Sequence, residues 1–548
     1  MSRLEIASPK RAKIVMEGLY KDLERRIESS PPGLCPVDMA RAFLELCHAQ
    51  TCGKCVPCRI GLGQLNNFIR EVLDGKATMK TLDIMEQTAL SIMESADCAI
   101  GYEAANMVYK GLIGYRDDYI EHIQNGRCTC TYNQPVPCVS LCPAHVDIPG
   151  YIALVGEGRY ADAIRLLRKD NPFPTTCGFI CEHPCEARCR RNMVDDSINI
   201  RGLKRVAADF AGEVDPPQCA PSTGKKIAIL GGGPGGLSAA YYLQLMGHQT
   251  TVYEMLPELG GMLRYGIPNY RLPKERLDDD IRAILKTGVQ VKNGLKIGQD
   301  ITIQELRQQY DVVLITIGAS TDKKLGLENE DADGIISAVQ FLRNVGKNQI
   351  IDLTGKEVVV IGGGNVSMDA VRTAKRLGAK KVSIVYRRRV ADMTALPGEI
   401  EGAVAEGIEL QTLKAPASID VDENHHVKGI YVTPQMVSSI RDGRASIKPT
   451  GEEDIYIPCD VLIVAIGQNI ETHHFEQAGI PVERGKIITK STGAFENLPG
   501  VFAGGDCASG PASVIKAIAA AKVVAANIDE YLGYHHEISC DVEIPEAH

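Results

Sequence analysis

Twelve of the 18 cysteines in this 548-residue sequence fall into three tight groups, and no other feature limits the possible folds as strongly. Four thiolates fill the ligand set of a cubane iron–sulfur cluster or of a structural zinc ion. We expect a cytoplasmic protein, because no apolar run approaches the ~18 residues of a membrane span and the N-terminal residues lack a signal-peptide apolar core. Cytosolic thiols stay reduced, so grouped cysteines there are metal ligands or redox groups rather than disulfides. The groups are Cys52, Cys55, Cys58 and Cys98; Cys128, Cys130, Cys138 and Cys142; and Cys177, Cys181, Cys185 and Cys189.

The first group has the spacing of an iron–sulfur site. Cys52, Cys55 and Cys58 stand three residues apart, so their thiolates can surround one face of a compact cluster, and Cys98 supplies the fourth ligand. Zinc is the alternative, but structural zinc usually takes two separated pairs of ligands. The spacing therefore favours an iron–sulfur cluster.

Composition limits the class of protein and its partners. The sequence is 44% apolar and 24% charged, which is typical of globular proteins, and its length predicts about three to five domains. A formal net charge of −9 gives no support for binding to nucleic acid or to an anionic membrane. Apolar periodicity predicts helices over residues 1–120, and residues 121–220 are irregular and rich in cysteine and proline.

A strand, glycine loop, helix and strand follow one another twice after residue 221. Lys226–Leu230 is the first predicted strand, and Glu357–Ile361 begins the same series about 130 residues later. This pattern predicts two Rossmann-like nucleotide-binding units. A strand near the C-terminus ends in Gly505 and Asp506, which implies that the first unit is split and that the second is inserted into it.

The two glycine loops differ in the residues that follow them. Gly231, Gly233 and Gly236 have the spacing that holds a dinucleotide pyrophosphate at a helix N-terminus, and Glu254 ends the next strand, where a carboxylate accepts hydrogen bonds from ribose hydroxyls. In the second loop Ser367 replaces the third glycine.

The strand after the second loop ends in an arginine run in place of a carboxylate. Arg387 and Arg388 stand at the position that corresponds to Glu254. Guanidinium groups bind a 2′-phosphate that a carboxylate would repel. The contrast favours FAD in the first unit and NADP(H) in the second.

Residues 121–548 resemble the small subunit of bacterial glutamate synthase. They also resemble the N-terminal half of dihydropyrimidine dehydrogenase and the large subunit of NADH-dependent ferredoxin:NADP oxidoreductase. The resemblance implies FAD, NADP(H) and two [4Fe-4S] clusters. The stretches that carry it are Cys138–Pro143, Cys177–Cys185, Ile198–Leu203, Gly260–Pro268, Val385–Arg388 and Ala503–Asp506.

This resemblance implies ligand sets for the two clusters. Cys128, Cys130, Cys138 and Cys189 would hold one cluster, and Cys142, Cys181 and Cys185 would hold the other. Some relatives complete the second set with Gln or Glu, but that position is Lys204 here, and we predict Cys177 in its place. The predicted FAD contacts are Gly231, Gly233, Gly235, Gly236, Glu254, Gly261, Leu263, Arg264, Gly318, Gly505 and Asp506. The predicted NADP(H) contacts are Gly362, Gly364, Asn365, Val366, Arg387 and Arg388.

Residues 35–122 resemble the C-terminal helical domain of the NADH-binding flavoprotein subunit of respiratory complex I. The match runs through Thr51–Arg59, Asp97 and Cys98, and Tyr115–Asp118. It implies a third [4Fe-4S] cluster on Cys52, Cys55, Cys58 and Cys98.

These features together predict a multidomain electron-transfer subunit without a catalytic side chain, because the cofactors carry the chemistry. We expect it to move electrons between NADP(H), FAD, three clusters and a partner such as a hydrogenase, a formate dehydrogenase or a ferredoxin-linked complex, with electron bifurcation as a further hypothesis. A glutamate synthase small subunit and a non-catalytic cluster-bearing scaffold are the alternatives. The predicted domains are helical 1–120 with one cluster, helical 121–220 with two clusters, 221–325 and 471–548 for FAD, and 326–470 for NADP(H).

Overall fold

The computed structural model describes residues 15–16, 18–21, 35–126, 136–187, 189–193, 195–349, 351–441 and 444–545. The chain forms two compact units. The first consists of Met1–His145 and His183–Ile200, and the second of Val146–Glu182 and Arg201–His548. The cysteine-rich stretch 121–220 therefore contributes to both units, and the domain boundaries drawn from the sequence stay predictions.

The first unit is helical because its apolar residues recur at three- and four-residue spacing. Leu62, Leu65, Ile69 and Val72 form the buried face of one helix and enter the core of this unit. A π-helical turn at Pro57–Gly61 and a 3-10 turn at Arg190–Met193 accompany the helices. Within its described residues the main α-helices are Pro36–Ala49, Leu62–Leu73, Met79–Ser95, Ala99–Gly114, Arg116–Asn125, Pro137–Leu141 and Pro184–Ala187.

The second unit begins with helices and continues as an α/β structure. Its early helices are Ile148–Gly156, Tyr160–Asp170, Pro174–Ile180 and Ile200–Phe210, the last of which starts at the final residue of the first unit. Later helices are Pro234–Leu245, Met262–Tyr265, Lys274–Leu285, Ile303–Gln309, Ala338–Gly346, Asn365–Arg376, Pro397–Ala405, His473–Gln477, Asp506–Ser509 and Val514–Tyr531, with a 3-10 turn at Val390–Asp392.

The strands of the second unit are numbered in chain order. Their bounds are Lys226–Leu230 (β1), Gln249–Glu254 (β2), Gln290–Asn293 (β3), Val312–Ile315 (β4), Thr321–Asp322 (β5), Ile335–Ser337 (β6), Glu357–Ile361 (β7), Lys381–Tyr386 (β8), Glu409–Thr412 (β9), Lys414–Val421 (β10), Val427–Arg441 (β11), Arg444–Pro449 (β12), Ile455–Pro458 (β13), Val461–Val464 (β14), Gln468–Asn469 (β15), Val482–Glu483 (β16), Lys486–Ile487 (β17) and Val501–Ala503 (β18).

Two parallel five-stranded sheets confirm the predicted pair of Rossmann-like domains. The first sheet has the order β18-β4-β1-β2-β3 and the second has the order β6-β14-β7-β8-β9. Strand β18 joins the first sheet beside β4, with Val501 opposite Val313, although it follows the whole second sheet in the chain. The second domain is therefore inserted into the first, as the sequence predicted.

An antiparallel sheet accompanies the second Rossmann sheet. Strand β11 pairs with β10, β12 and β13, and the sheet has four strands. Ile430, Val432 and Ile457 of this sheet share a core with Ile361 and Val385 of the parallel sheet. The sequence reading did not predict this addition.

Within the described residues, no helix combines the length and the apolar character that crossing a bilayer requires.

Candidate functional site

The first glycine loop packs so closely that side chains are excluded from it. A Cβ atom on Gly231 would lie 2.5 Å from the carbonyl oxygen of Thr316, and one on Gly236 would lie 1.9 Å from that of Gly231. At Gly233 the nearest atom, the Cα atom of Gly261, would be 3.8 Å away, so a Cβ atom would make only an ordinary van der Waals contact there. The loop thus leads from β1 into helix Pro234–Leu245 with its backbone accessible, which is the arrangement that receives a pyrophosphate.

A cavity that is partly open to solvent lies over this loop. Eight of the predicted FAD contacts line it, together with residues from the segment after β4 and residues that follow β18. The lining residues are Gly231, Gly233, Pro234, Gly235, Glu254, Met255, Leu256, Gly261, Met262, Tyr265, Thr316, Ile317, Gly318, Ala319, Ser320, Arg343, Gly504, Gly505, Asp506 and Ala517.

Glu254 ends β2 at one side of the cavity. Its carboxylate accepts hydrogen bonds from the backbone nitrogens of Gly232 at 2.7 Å and Leu256 at 2.8 Å. Burial raises the pKa of Glu254, while these backbone donors act to lower it. A carboxylate held in this way retains lone pairs for ribose hydroxyls.

Asp506 contributes a buried acceptor on the C-terminal side. Its Oδ1 atom is buried and has no hydrogen-bond partner among the described residues. Burial raises the pKa of Asp506. Because an unsatisfied buried acceptor is costly, this atom fits a hydroxyl donor on a bound cofactor such as the ribitol chain of FAD.

Three predicted FAD contacts do not line the cavity. Gly236 serves the close packing of helix and strand. Leu263 is buried, and Arg264 donates from Nε to the carbonyl oxygen of Leu259 at 2.6 Å and pairs with Asp278. Direct contacts from these residues to FAD stay predictions.

Arg343 lines the cavity and was missed from the sequence. It lies in helix Ala338–Gly346, and its Nη2 atom donates to the carbonyl oxygen of Ser320 at 2.6 Å. Its Nε atom is buried without a partner among the described residues. No motif surrounds Arg343, so only the three-dimensional fold could associate it with this cavity.

The second loop repeats the close packing with one adjustment. A Cβ atom on Gly362 would lie 2.4 Å from the carbonyl oxygen of Ala465, and one on Gly363 would lie 2.6 Å from the ring of Tyr386. Ser367, at the position of the third glycine, is fully buried. The loop leads into helix Asn365–Arg376, which includes the predicted contacts Asn365 and Val366.

The side chain of Asn365 is held in place on both sides. Its Oδ1 atom accepts from the backbone nitrogen of Leu396 at 2.9 Å, and its Nδ2 atom donates to Oε1 of Glu182 at 3.2 Å. Asn365 therefore orders the start of the nucleotide-binding helix, and its predicted contact with NADP(H) remains untested.

The three arginines after β8 have different partners. Arg387 is exposed and has no hydrogen-bond or ion-pair partner among the described residues. Arg388 donates from Nε to the carbonyl oxygen of Ala445 at 3.0 Å. Arg389 donates hydrogen bonds to the carboxylate of Asp392 from Nε at 2.8 Å and from Nη2 at 2.9 Å, and these bonds lower the pKa of Asp392 to about 2. Arg387 and Arg388 thus keep donors for a phosphate, whereas Arg389 is committed to a carboxylate.

The first cysteine group comes together in the first unit. Burial, together with smaller effects of the neighbouring Cys55, Cys98 and Cys52, raises the pKa of Cys58 to about 12. A Cβ atom on Gly101 would lie 2.6 Å from the Cys58 sulfur, so a glycine is needed beside it. Gly53 adopts φ +68°, which lets the loop turn between Cys52 and Cys55.

Backbone donors surround Cys55. Burial acts to raise the pKa of its thiol, but hydrogen bonds from the backbone at Cys58 and Asp97 leave that pKa lowered. Donors of this kind stabilise thiolates, and hydrogen bonds to sulfur are one means by which proteins set iron–sulfur potentials. The arrangement fits a thiolate-bound cluster.

The remaining cysteines are divided between the two units. In the first unit, Cys138 is close enough to Cys189 and Cys142 for their charges to raise its pKa, after the larger effect of burial. In the second unit, burial raises the pKa of Cys177, and Cys181 raises it further. Cys185 is buried in the first unit. Cys128 and Cys130 lie outside the described residues, and the two ligand sets stay predictions.

Comparison with protein families supports each part of this arrangement. Residues 225–521 match the pyridine nucleotide-disulphide oxidoreductase family. Residues 38–122 match the NADH-ubiquinone oxidoreductase-F iron-sulfur binding region, and residues 114–215 match dihydropyrimidine dehydrogenase domain II with its 4Fe-4S cluster. The resemblances inferred from the cysteine and glycine motifs are confirmed.

Three curated proteins are similar over most of this chain. The NADP(+)-dependent formate dehydrogenase subunit beta of Moorella thermoacetica is 32% identical and covers 90% of this chain and 79% of its own length. The NADPH-Fe(3+) oxidoreductase subunit beta of Geobacter sulfurreducens (strain DL-1 / KN400) is 34% identical and covers 91% and 79%. The glutamate synthase [NADPH] small chain of Escherichia coli (strain K12) is 34% identical and covers 72% and 88%.

Proposed function

This chain belongs to the pyridine nucleotide-disulphide oxidoreductase family, and we propose that it passes electrons between NADP(H) and a partner oxidoreductase through FAD and three [4Fe-4S] clusters. It is an NAD(P)H-dependent oxidoreductase subunit with flavin and iron–sulfur sites. One observation carries the proposal. The first Rossmann-like domain has an acidic residue at its predicted ribose position, the second has basic residues there, and the same chain brings cysteine thiols together. FAD supplies the exchange between the two-electron chemistry of nicotinamide and the one-electron chemistry of clusters.

The first domain holds FAD in this proposal. The loop Gly231–Gly236 and the N-terminus of its helix bind the pyrophosphate, and Glu254 accepts from the ribose hydroxyls. Asp506 accepts from a hydroxyl of the ribitol chain, because its buried Oδ1 atom has no partner in the part of the chain that the structure describes. Arg343 adds a positive charge to the cavity wall.

The second domain binds NADP(H). The backbone at Gly362 and Gly364 receives the pyrophosphate at the start of helix Asn365–Arg376. Arg387 and Arg388 bind the 2′-phosphate, since their guanidinium groups carry donors that have no partner among the described residues. This assignment predicts a preference for NADPH over NADH.

The three clusters take the ligand sets inferred from the sequence. Cys52, Cys55, Cys58 and Cys98 hold the first, which the neighbouring charges at Cys58 and the backbone donors at Cys55 support. The second set is Cys128, Cys130, Cys138 and Cys189, and the third is Cys142, Cys177, Cys181 and Cys185.

The partner is another redox subunit of a larger complex. Two relatives that match about nine-tenths of this chain are beta subunits named for different reactions, a formate dehydrogenase in one and an Fe(3+) oxidoreductase in the other, and both names include NADP or NADPH. The use of NADP or NADPH is therefore common to the two names, and the partner subunit sets the terminal reaction. A formate dehydrogenase or hydrogenase type of partner fits this architecture, and bifurcation at the flavin remains a hypothesis within it.

The second candidate function is that of a glutamate synthase small subunit, which delivers electrons to a large subunit. The similarity to the glutamate synthase small chain favours it, but that match covers 72% of this chain against 90% for the formate dehydrogenase subunit. The match at residues 38–122 adds an iron-sulfur binding region, to which we assign electron exchange with a further redox subunit.

Disulphide reduction does not follow from the family name. A disulphide reductase of this family places a reactive cysteine pair against the flavin, whereas the residues that line the first-domain cavity include no cysteine within the described structure. The family name therefore describes the nucleotide-binding fold of this chain.

An anaerobic reduction experiment tests the proposal. NADPH added to oxygen-free holoprotein should bleach the flavin absorbance, and NADH at equal concentration should do so much more weakly. Absence of bleaching by either nucleotide would favour the non-catalytic scaffold and contradict the proposal.

A further inference from the structure

A buried arginine of the FAD-binding domain inserts between two carboxylates of the NADP(H)-binding domain. The Nη1 atom of Arg271 lies 2.8 Å from both carboxylate oxygens of Asp369, and its Nε atom lies 3.1 Å from Oε1 of Glu399. The side chain of Arg271 is 12% exposed, that of Asp369 is 5% exposed and that of Glu399 is 18% exposed. We call these three residues the Arg271 latch.

The neighbouring Tyr270 strengthens the same contact. Its ring lies under the guanidinium groups of Arg372, at 4.9 Å, and Arg376, at 3.9 Å. Arg372 also pairs with Glu399 at 2.7 Å, so the latch continues into the second domain. The contact is thus a network of buried charges rather than an isolated surface pair, and such networks hold one geometry because a displaced charge would stay buried without its partner.

The latch is attached closely to both proposed cofactor sites. Asp369 is in the helix that starts at Asn365, directly after the second glycine loop, and four residues of helix rise about 6 Å. Arg271 follows Tyr265, which lines the FAD cavity. Helix Ala338–Gly346 adds a second close approach, since a Cβ atom on Gly346 would lie 3.1 Å from the Cα atom of Tyr265.

We propose that Arg271, through Asp369 and Glu399, is a positioning residue that fixes the distance between the nicotinamide and the flavin. The inference rests on the proposed function. Transfer of a hydride, one proton with two electrons, from nicotinamide C4 to flavin N5 requires the two atoms to approach within about 3.5 Å, and misplacement by about 1 Å can reduce a rate on the order of a hundredfold. Arg271 touches neither ring and acts only by holding one domain against the other.

The test uses the full-length holoprotein with Arg271→Met, Arg271→Lys and Asp369→Asn. The control is Lys381→Met, which breaks the exposed pair of Lys381 with Glu409 on the same domain. FAD content and the dissociation constant of NADP⁺ should stay within about twofold of the parent protein, because none of the substituted residues lines the FAD cavity or is a proposed NADP(H) contact. Flavin reduction in a single turnover at saturating NADPH should slow between roughly tenfold and a hundredfold in Arg271→Met and Asp369→Asn, and Arg271→Lys should recover part of the loss.

Two readouts other than turnover accompany these rates. The long-wavelength absorbance of stacked nicotinamide and flavin rings should weaken in Arg271→Met, and amide hydrogen exchange in helix Asn365–Arg376 should speed up. If the variants only lose thermal stability, while the saturated rate and the stacking absorbance match those of Lys381→Met, the latch is structural and the inference is wrong. If the parent protein itself shows no flavin reduction by NADPH, the proposed function fails instead. Should Arg271→Met not fold, Asp369→Asn and Arg271→Lys decide by the same criteria.

Discussion

The two Rossmann-like domains share a backbone plan and differ in the charge at the end of one strand. Both loops exclude side chains at their first glycine, where a Cβ atom would lie 2.5 Å or less from a carbonyl oxygen. Beyond the helix, the first domain presents Glu254 and the second presents Arg387 and Arg388. Backbone geometry therefore provides for a pyrophosphate in both domains, and the side chains at the strand end distinguish a ribose from a ribose 2′-phosphate.

The position of the third glycine in the two loops, where the first domain has Gly236 and the second has Ser367, gives the largest expected effect. Gly236 has no room for a Cβ atom, whereas its counterpart Ser367 is accommodated and fully buried. Gly236→Ser should lower the free energy of unfolding by about 3 kcal/mol and release FAD, because the added atoms overpack the loop. Chemical denaturation and the flavin absorbance of purified protein measure both effects.

The matched change is Ser367→Gly. It should cost about 1 kcal/mol, mostly through greater freedom of the unfolded chain, and leave the FAD content unchanged. Equal losses of FAD in the two variants would show that the loops do not differ in the way described.

The arginine pair gives the next effect. Replacement of Arg387 and Arg388 together by Gln should weaken NADPH binding by about 2 kcal/mol, or roughly thirtyfold, because charge-assisted hydrogen bonds to the 2′-phosphate are lost. NADH binding should change less than twofold. Titration of both nucleotides against the variant, with exposed Lys381→Gln as control, separates these outcomes. Equal losses of affinity for NADPH and NADH would contradict the assignment of Arg387 and Arg388 to the 2′-phosphate.

Glu254 gives the smallest expected loss of cofactor affinity. Glu254→Gln keeps the shape of the side chain but places an amide donor against the backbone N–H of Gly232 or Leu256. FAD affinity should fall by about 1.5 kcal/mol, or roughly tenfold. Fluorescence titration of FAD-depleted protein measures this affinity, with exposed Glu483→Gln as the comparison. An unchanged affinity would mean that Glu254 supports only the loop.

Local patterns made much of the fold predictable. Lys226–Leu230 and Glu357–Ile361 are strands with the bounds expected from the sequence, because short buried runs that end in glycine specify such strands. Glu254 and Asp506 both line the cavity expected of them, since each follows directly from a strand end. These features depend on residues that are neighbours in the chain.

Features that depend on distant residues were not predictable. Arg271 and Asp369 are 98 positions apart, and neither belongs to a recognisable motif. Arg343 reaches the first-domain cavity from the inserted domain. The antiparallel strands between 414 and 458 were missed because their alternation is weak where side chains on both faces are partly exposed.

Reduction of the clusters by NADPH tests the account most directly. Anaerobic protein should contain about twelve iron atoms and as many sulfide ions per chain, and NADPH should produce the electron paramagnetic resonance signals of reduced [4Fe-4S] clusters as the flavin bleaches. Protein that binds FAD but carries zinc or no sulfide in its cysteine sites would contradict the account. Flavin bleaching without any cluster signal, in protein shown to contain the iron, would contradict it as well.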